Sequence, residues 1–438
     1  MRAGSAYVFS AVLTAGPWVS ATLSLAALDR ASEGFLGNDD RTLLLTTITY
    51  TFFVSLVVSY GIQMVVTRYL ADSVYLKRLE TFLPTCFGIL CCGGAIFVIS
   101  IPFLILAPFP LRYRLMAVTL LITLSLLWQT LVFLSAMRDY VRIAVIFFLA
   151  YAFSLGAALE LGSLFGVFGS LTGFTAGQVI CVALLISHVY TEYRVAPDVS
   201  LEYVSYVRRY WDLFLIGTLY GVGLSADSVI YWFSPGNLAV HGYFHLFPHY
   251  DSSKLVGYLL TIPAASVFLV HVETRIYREC VAFLPRPETK RPLAVIRQAK
   301  QALAGAMWSG VLSVGKVQGI VALGAVVFAP VLVGWLGLPS SWTTPFRVVV
   351  LAASLQYVML VGIFLLLYLD ERRAALVGLA TFVGLDVVVS ELSVWIHPTQ
   401  YGVGYLLAAA TGLVLVLGFL YQCLRRLEYA TFMLQPFA

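Results

Sequence analysis

Lys316 sits in Gly315-Lys316-Val317-Gln318-Gly319, inside an apolar stretch over 301–329. At about 1.5 Å per helical residue it lies roughly 22 Å along that stretch, near the middle of a bilayer. Asp227 and Asp386 occur in comparable stretches, over 209–233 and 374–392. A Lys or Asp at the centre of a membrane helix costs roughly 2.5–3.5 kcal/mol, so such residues are kept for pairing or for lining a hydrated path. One reading makes Lys316 a structural cation paired with Asp227 or Asp386, since all three fall in the second half of the chain. The other reading places it on the wall of a cavity. Gln63, Gln129, Gln178, Gln318 and Gln356 add uncharged donors and acceptors within apolar stretches. Such amides suit the hydroxyls of a glycan, and they equally suit contacts between helices.

Other chemistry is thinner. His241, His245 and His249, spaced by four, would share one face of a helix and could ligate a metal. Pro248 breaks that register and only Asp251 offers a nearby carboxylate, so a polar loop without metal or cofactor is expected. Cys86, Cys91, Cys92, Cys181, Cys280 and Cys423 show neither a disulfide framework nor metal-ligand spacing, and read as small apolar fillers. Glu160 and Glu391 fall near the ends of apolar stretches, as interfacial carboxylates do. Trp211 and Trp232 bracket one stretch as interface anchors. No Gly-x-x-x-x-Gly-Lys-Ser/Thr loop occurs, so any use of ATP lies in another protein. No connecting segment is long enough to build a nucleotide-sugar site with clustered carboxylates, which excludes a glycosyltransferase.

Stretches of about 20 apolar residues, the length that crosses a bilayer, hold these side chains. They run over 5–28, 43–67, 82–107, 115–136, 142–165 and 168–189, then over 209–233, 253–273, 301–329, 344–369, 374–392 and 403–424. Charged residues make up 11% of the chain against roughly 25% in soluble proteins, which excludes a soluble globular enzyme. An all-α polytopic membrane protein of about twelve transmembrane helices is therefore expected, its first span retained as a helix and not cleaved as a signal peptide.

The cations orient it. Of 27 lysines and arginines, Arg30, Arg41, Arg112, Arg114, Lys254 and Arg347 fall in one set of connecting segments, and Lys316 in a span. The other twenty fall in the opposite set, together with both termini. That bias places the termini in the cytoplasm and Asp227 and Asp386 in the outer halves of their spans. It also makes the net charge of +5 a topology signal, not a nucleic-acid footprint.

Six spans, a connector near 190–208 and six more suggest a duplication into lobes 1–195 and 196–438. Thr67-Arg68 and Thr274-Arg275 echo each other at two span exits, as do Arg138-Asp139 and Asp370-Glu371-Arg372-Arg373. Gly16-Pro17-Trp18, Thr67-Arg68-Tyr69-Leu70-Ala71-Asp72-x-x-Tyr75, Ala226-Asp227, Ile262-Pro263-Ala264, Val272-Glu273-Thr274 and Tyr277 occur in an order and spacing that resemble the PelG family. These are inner-membrane proteins of the Pel exopolysaccharide system. The resemblance spans about residues 12–425. The family usually has a cytoplasmic segment before its first span and almost none precedes it here, so the expectation is either a trimmed start or a missing partner contact made by that segment.

The resemblance implies the MOP flippase superfamily, with two six-helix lobes in a bacterial inner membrane. It implies a polysaccharide rich in galactosamine and N-acetylgalactosamine, with cytoplasmic glycosyltransferase and membrane scaffold partners. The expected function is a flippase moving that polymer, or a precursor, to the periplasmic face by rocking of the lobes. A small-molecule or cation antiporter of the same superfamily, and a non-transporting scaffold for a polysaccharide synthase, stand as alternatives. Candidate path residues are Asp227, ranked first by the resemblance, then Lys316, Gln318, Asp386, Gln356, Gln63 and Gln129. Arg275, Arg278, Arg286, Lys290, Arg291, Arg297 and Lys300 form a basic segment suited to anionic headgroups or a docked partner. Asp227→Asn is therefore expected to lower polymer export while leaving inserted protein intact, and Asp386→Asn to do so more weakly; a purely structural role would instead lower inserted protein, with export falling in proportion. The orientation is checked with a membrane-impermeant thiol reagent on intact cells: a cysteine at 240 is expected to react and one at 290 is not.

Overall fold

Backbone amides find no partner in hydrocarbon, so apolar runs of this length are stable in a bilayer only as helices. The computed structural model describes residues 19–137, 140–193, 198–283, 292–396 and 400–432, and these are helical almost throughout. In chain order the helices are α1 (19–32), α2 (Asn38–Tyr75), α3 (Phe82–Leu106), α4 (Leu111–Met137) and α5 (Tyr140–Tyr193). Then come α6 (Glu202–Arg209), α7 (Trp211–Gly223), α8 (Ala226–Trp232), a hairpin of β1 (Leu238–Val240) and β2 (Phe244–Leu246), and α9 (Pro248–Phe283). The chain ends with α10 (Leu293–Val327), α11 (Ala329–Trp335), α12 (Thr343–Tyr368), α13 (Arg372–Ile396) and α14 (Val403–Phe432).

Among the described residues nine helices are long and apolar enough to cross a membrane, and α7 with α8, bent by 44°, makes a tenth span. Helix α5 is two expected spans joined at Gly166, whose φ of 64° lies where a side chain is strained. Helix α1 is the part of the first expected span that the structure describes; with α5 counted as two, the described residues hold eleven spans and this part of a twelfth. Gly16-Pro17-Trp18 lies outside the described residues.

The chain packs as two compact units. One holds the described residues up to Ser225 together with Asn237–Leu246; the other holds Ala226–Gly236 and the chain from Phe247 onward. The seventh span is thus divided at Ser225: α7 packs on α2, and α8 packs on α13. Within the first unit α4 is the most enclosed helix, 72% buried over its apolar window; within the second, the segment ending in α12 is, at 67%. Each carries an arginine near its start that serves the carbonyls ending the span before it. Arg114 donates to Leu104 O and, at 3.4 Å, to Ile105 O, while Arg347 donates to Val326 O at 3.0 Å. Helix ends leave such carbonyls without partners, and these two arginines solve the same problem at matching places in the two halves.

Two local features come from particular residues. The hairpin turns through His241 and Gly242, both at positive φ, and docks in the first unit: Tyr50 donates to His245 O at 2.7 Å and Phe244 stacks on Phe109 at 5.6 Å. Val240 is buried in that hairpin, so the exposed His241 replaces it as the position for the outside label. In α5, Gly169, Gly173 and Gly177 form a seam on which the two arms meet; a Cβ at Gly173 would lie 2.3 Å from the Ala157 backbone. Small residues at intervals of four allow that approach. Gly173→Val is therefore expected to cost about 1–3 kcal/mol of overpacking and to lower the yield of detergent-stable protein. Gly156→Val is expected to leave the yield unchanged, because nothing lies within 4 Å of a Cβ there.

Candidate functional site

Pro248 starts α9 at the first helical turn, where its missing N–H is harmless, and Phe247 precedes it as the cap. From there Tyr250, Lys254 and Tyr258 recur at intervals of four, which stacks them on one helix face. That face meets Asp227, the second residue of α8. Lys254 Nζ donates to Asp227 Oδ1 and the Tyr250 hydroxyl donates to Asp227 Oδ2, so both carboxylate oxygens are taken by α9. The pair is shut in: Asp227 is 0% exposed and Lys254 3%. The Lys254 ammonium also lies over the Tyr405 ring at 4.8 Å and the Tyr258 ring at 5.8 Å, within the range of cation–π attraction.

Three further helices close the cluster. Asp386 of α13 is 0% exposed, accepts from Ser390 Oγ at 3.3 Å, and lies near enough for its charge to act on Asp227 and Lys254. Tyr405 of α14 meets the hydroxyl of Tyr258 and donates to Gln356 Oε1 of α12. On the other side of α9, Asp251 accepts from Trp232 Nε1 at 2.8 Å and from the Phe247 amide at 3.4 Å, which ties the end of α8 to the start of α9. Tyr231 packs on Tyr250 at 4.3 Å and accepts from the Gly402 amide at 2.9 Å. Five helices of the second unit thus converge on one ion pair.

Two expectations are corrected here. Asp227 pairs with Lys254, not with Lys316, and Lys254 is not an outer-loop cation but a buried one. Its place at the edge of an apolar stretch hid it. The spacing of Tyr250, Lys254 and Tyr258 was the available signal. Lys316 is instead exposed on α10, on a face with Leu312, Ile320 and Leu323, and it has no ion pair among the described residues. The flanking Gly315 and Gly319 have open space where a side chain would stand.

The glutamines join helices. Gln318 donates to Ser354 Oγ at 2.8 Å, Gln129 to Ser59 O at 2.9 Å, Gln63 to Trp128 O at 3.3 Å and Gln178 to Ser154 Oγ at 3.1 Å, while Gln356 accepts from Tyr405. Of these only Gln63 is more than slightly exposed. Trp128 donates to Ser55 Oγ at 3.0 Å. The three histidines lie on a turn, a strand and a helix, with His245 bonded to Asn237 at 2.9 Å and His249 edge-on to Trp342. In the basic segment Arg275 donates to Ser309 Oγ at 3.2 Å, Arg278 meets Glu279, and Lys300 donates to Arg425 O at 2.7 Å. Arg297 is exposed, and Arg286, Lys290 and Arg291 lie outside the described residues. At the second-span exit, Tyr69 donates to Glu202 Oε2 at 3.1 Å and Arg68 pairs with Asp72 at 3.2 Å.

Removing one partner of a buried pair leaves an uncompensated charge and costs about 3–5 kcal/mol, whereas removing both is often neutral. Lys254→Met and Asp227→Asn are each expected to destabilise the purified protein by that amount. The double variant Asp227→Asn/Lys254→Met is expected to regain most of it in thermal unfolding. With Asp227 sealed, Asp227→Asn is expected to lower inserted protein, with export falling in proportion.

The sequence profile of the PelG family, described as "Putative exopolysaccharide Exporter (EPS-E)", matches residues 1–432. No curated protein matches the chain. Solved structures share its fold at low identity. An outward-facing multidrug-resistance MATE family transporter of the MOP superfamily superposes with a TM-score of 0.68 at 12% identity, over 97% of this chain and 96% of that one. The Vibrio cholerae MATE transporter VcmN in its bent form gives 0.63 at 14%, over 98% and 100%. A MOP superfamily transporter from Pyrococcus furiosus, whose binding pocket is described as reversed in polarity, gives 0.58 at 13%, over 96% of each. The fold is the two-lobe, all-helical one of these transporters, and the match along almost the whole length makes this chain a member of the PelG exopolysaccharide exporter family.

Proposed function

We propose that this chain carries an exopolysaccharide, or its precursor, from the cytoplasmic to the periplasmic face of a bacterial inner membrane, and that the exposed face of α10 around Lys316 lines the route. The observation that carries this reading is Lys316 itself, a mid-span lysine that is exposed and has no ion pair among the described residues. Its side chain reaches about 6 Å, too short to take the ammonium from mid-depth to either interface. A cation left facing acyl chains would be strongly disfavoured, so water is the environment that suits it. Gly315 and Gly319 widen the same face.

The polymer is the amino-sugar-rich one that the family resemblance implies. A cation on the wall opposes a run of free amines, so the reading favours N-acetylated segments in contact with α10. Alternating access of the two lobes, with both termini cytoplasmic, is the mode of transport that the shared fold supports. The exposed Arg278 and Arg297 of the basic segment stand ready for anionic headgroups or for the cytoplasmic glycosyltransferase and membrane scaffold partners. Asp227 and Asp386 serve this function by organising the second unit.

A cysteine at 316 is expected to react with a hydrophilic thiol reagent, and Lys316→Leu is expected to lower secreted polymer per inserted protein while leaving insertion intact. An unreactive cysteine together with a fully active Lys316→Leu variant would place the route elsewhere.

A further inference from the structure

The buried cluster of the second unit has more acid than base. Asp227 and Asp386 face a single ammonium, that of Lys254, among the described residues. Asp251 is engaged by Trp232 and the Phe247 amide. Asp386 is only partly satisfied: Ser390 Oγ donates to its Oδ1 and the Asp227 backbone amide also interacts with the carboxyl, while its fully buried Oδ2 makes no hydrogen bond of good geometry among the described residues. An orphaned carboxylate oxygen in a dry interior calls for positive charge.

The surroundings of Lys254 Nζ have the chemistry that binds a small monovalent cation. There is one carboxylate in direct contact, a second nearby, and two tyrosine rings at 4.8 and 5.8 Å. Aromatic faces combined with carboxylate oxygens attract ammonium groups and desolvated monovalent ions alike. We infer that Asp227, Asp386, Tyr258 and Tyr405 form a buried monovalent-cation site whose permanent ligand is the ammonium of the chain's own Lys254.

Tethering changes what such a site can do. An external cation would compete with a ligand held in place by its own backbone, at an effective concentration far above that of a free solute. The site therefore does not exchange Na⁺ or K⁺ with either side of the membrane. Whatever drives transport enters elsewhere, and the pair acts as a fixed charge around which α8, α9, α13 and α14 stay assembled. This holds whether or not cargo passes along α10, and its test does not measure export.

The purified full-length protein is followed by thermal unfolding in sodium, potassium, methylammonium and choline chlorides at matched ionic strength. The wild-type midpoint is expected to be the same in all four. Lys254→Ala vacates the site and is expected to show a midpoint that rises saturably with methylammonium or an alkali cation, a response lost in Asp227→Asn/Lys254→Ala. If Lys254→Ala does not survive purification, Lys254→Gln, which keeps a donor without the charge, is judged by the same criteria. Recovery of either variant only when methylammonium is present throughout also supports the inference. A saturable sodium or potassium response in the wild type that Asp227→Asn abolishes would overturn it. So would a folded Lys254 variant no more responsive than wild type, or failure to recover both variants even with methylammonium.

Discussion

Hydrocarbon neither donates nor accepts a hydrogen bond, and most of the polar atoms in this molecule are placed as answers to that constraint. Backbone groups are met within helices. Where helices end, Arg114 and Arg347 reach back to carbonyls of the preceding span. The glutamines that stand within spans bond across to serine, tyrosine or a main-chain oxygen of a neighbouring helix. The Asp227–Lys254 pair is the strongest case, because two charges removed from water must compensate each other or be lost. Tyr250 takes the second oxygen of the acid, and the rings of Tyr258 and Tyr405 flank the ammonium.

Much of this fold could be read before any coordinates, and the reason is physical. A run of twenty apolar residues is a contiguous property of the chain, so the helical, many-span architecture followed from local sequence alone. Which lysine meets which aspartate depends on how helices approach, and local sequence does not encode that. Lys316, deep in its span, looked like the natural partner for Asp227, yet its face of α10 is open. Lys254, near a span boundary, was counted with the outer cations although α9 carries it inward. Where the break at Pro248 led to the expectation of a polar loop, Gly242 and a positive φ at His241 turn the segment into a hairpin.

Polar residues of the spans thus divide into two classes with different work. Asp227, Asp386, Lys254 and four of the five glutamines are buried and hold helices together. Lys316 is exposed and has no ion pair among the described residues. Ala226-Asp227 belongs to the family resemblance, and in the structure its carboxylate is buried and held by Lys254 and Tyr250. At the second-span exit, Tyr69 bonds to Glu202 of α6 and Arg68, paired with Asp72 of its own helix, lies over the Tyr210 ring.

The buried pair also bears on how the protein is made. Asp227 and Lys254 are separated by 27 residues, so a ribosome adding about 5–20 residues per second exposes the acid roughly 1–5 s before its base arrives. During that interval the seventh span carries an unneutralised carboxylate and is a poor candidate for release into lipid. Entering the bilayer as a hairpin with the eighth span would spare the seventh that cost, which couples the order of synthesis to the way this unit acquires its shape.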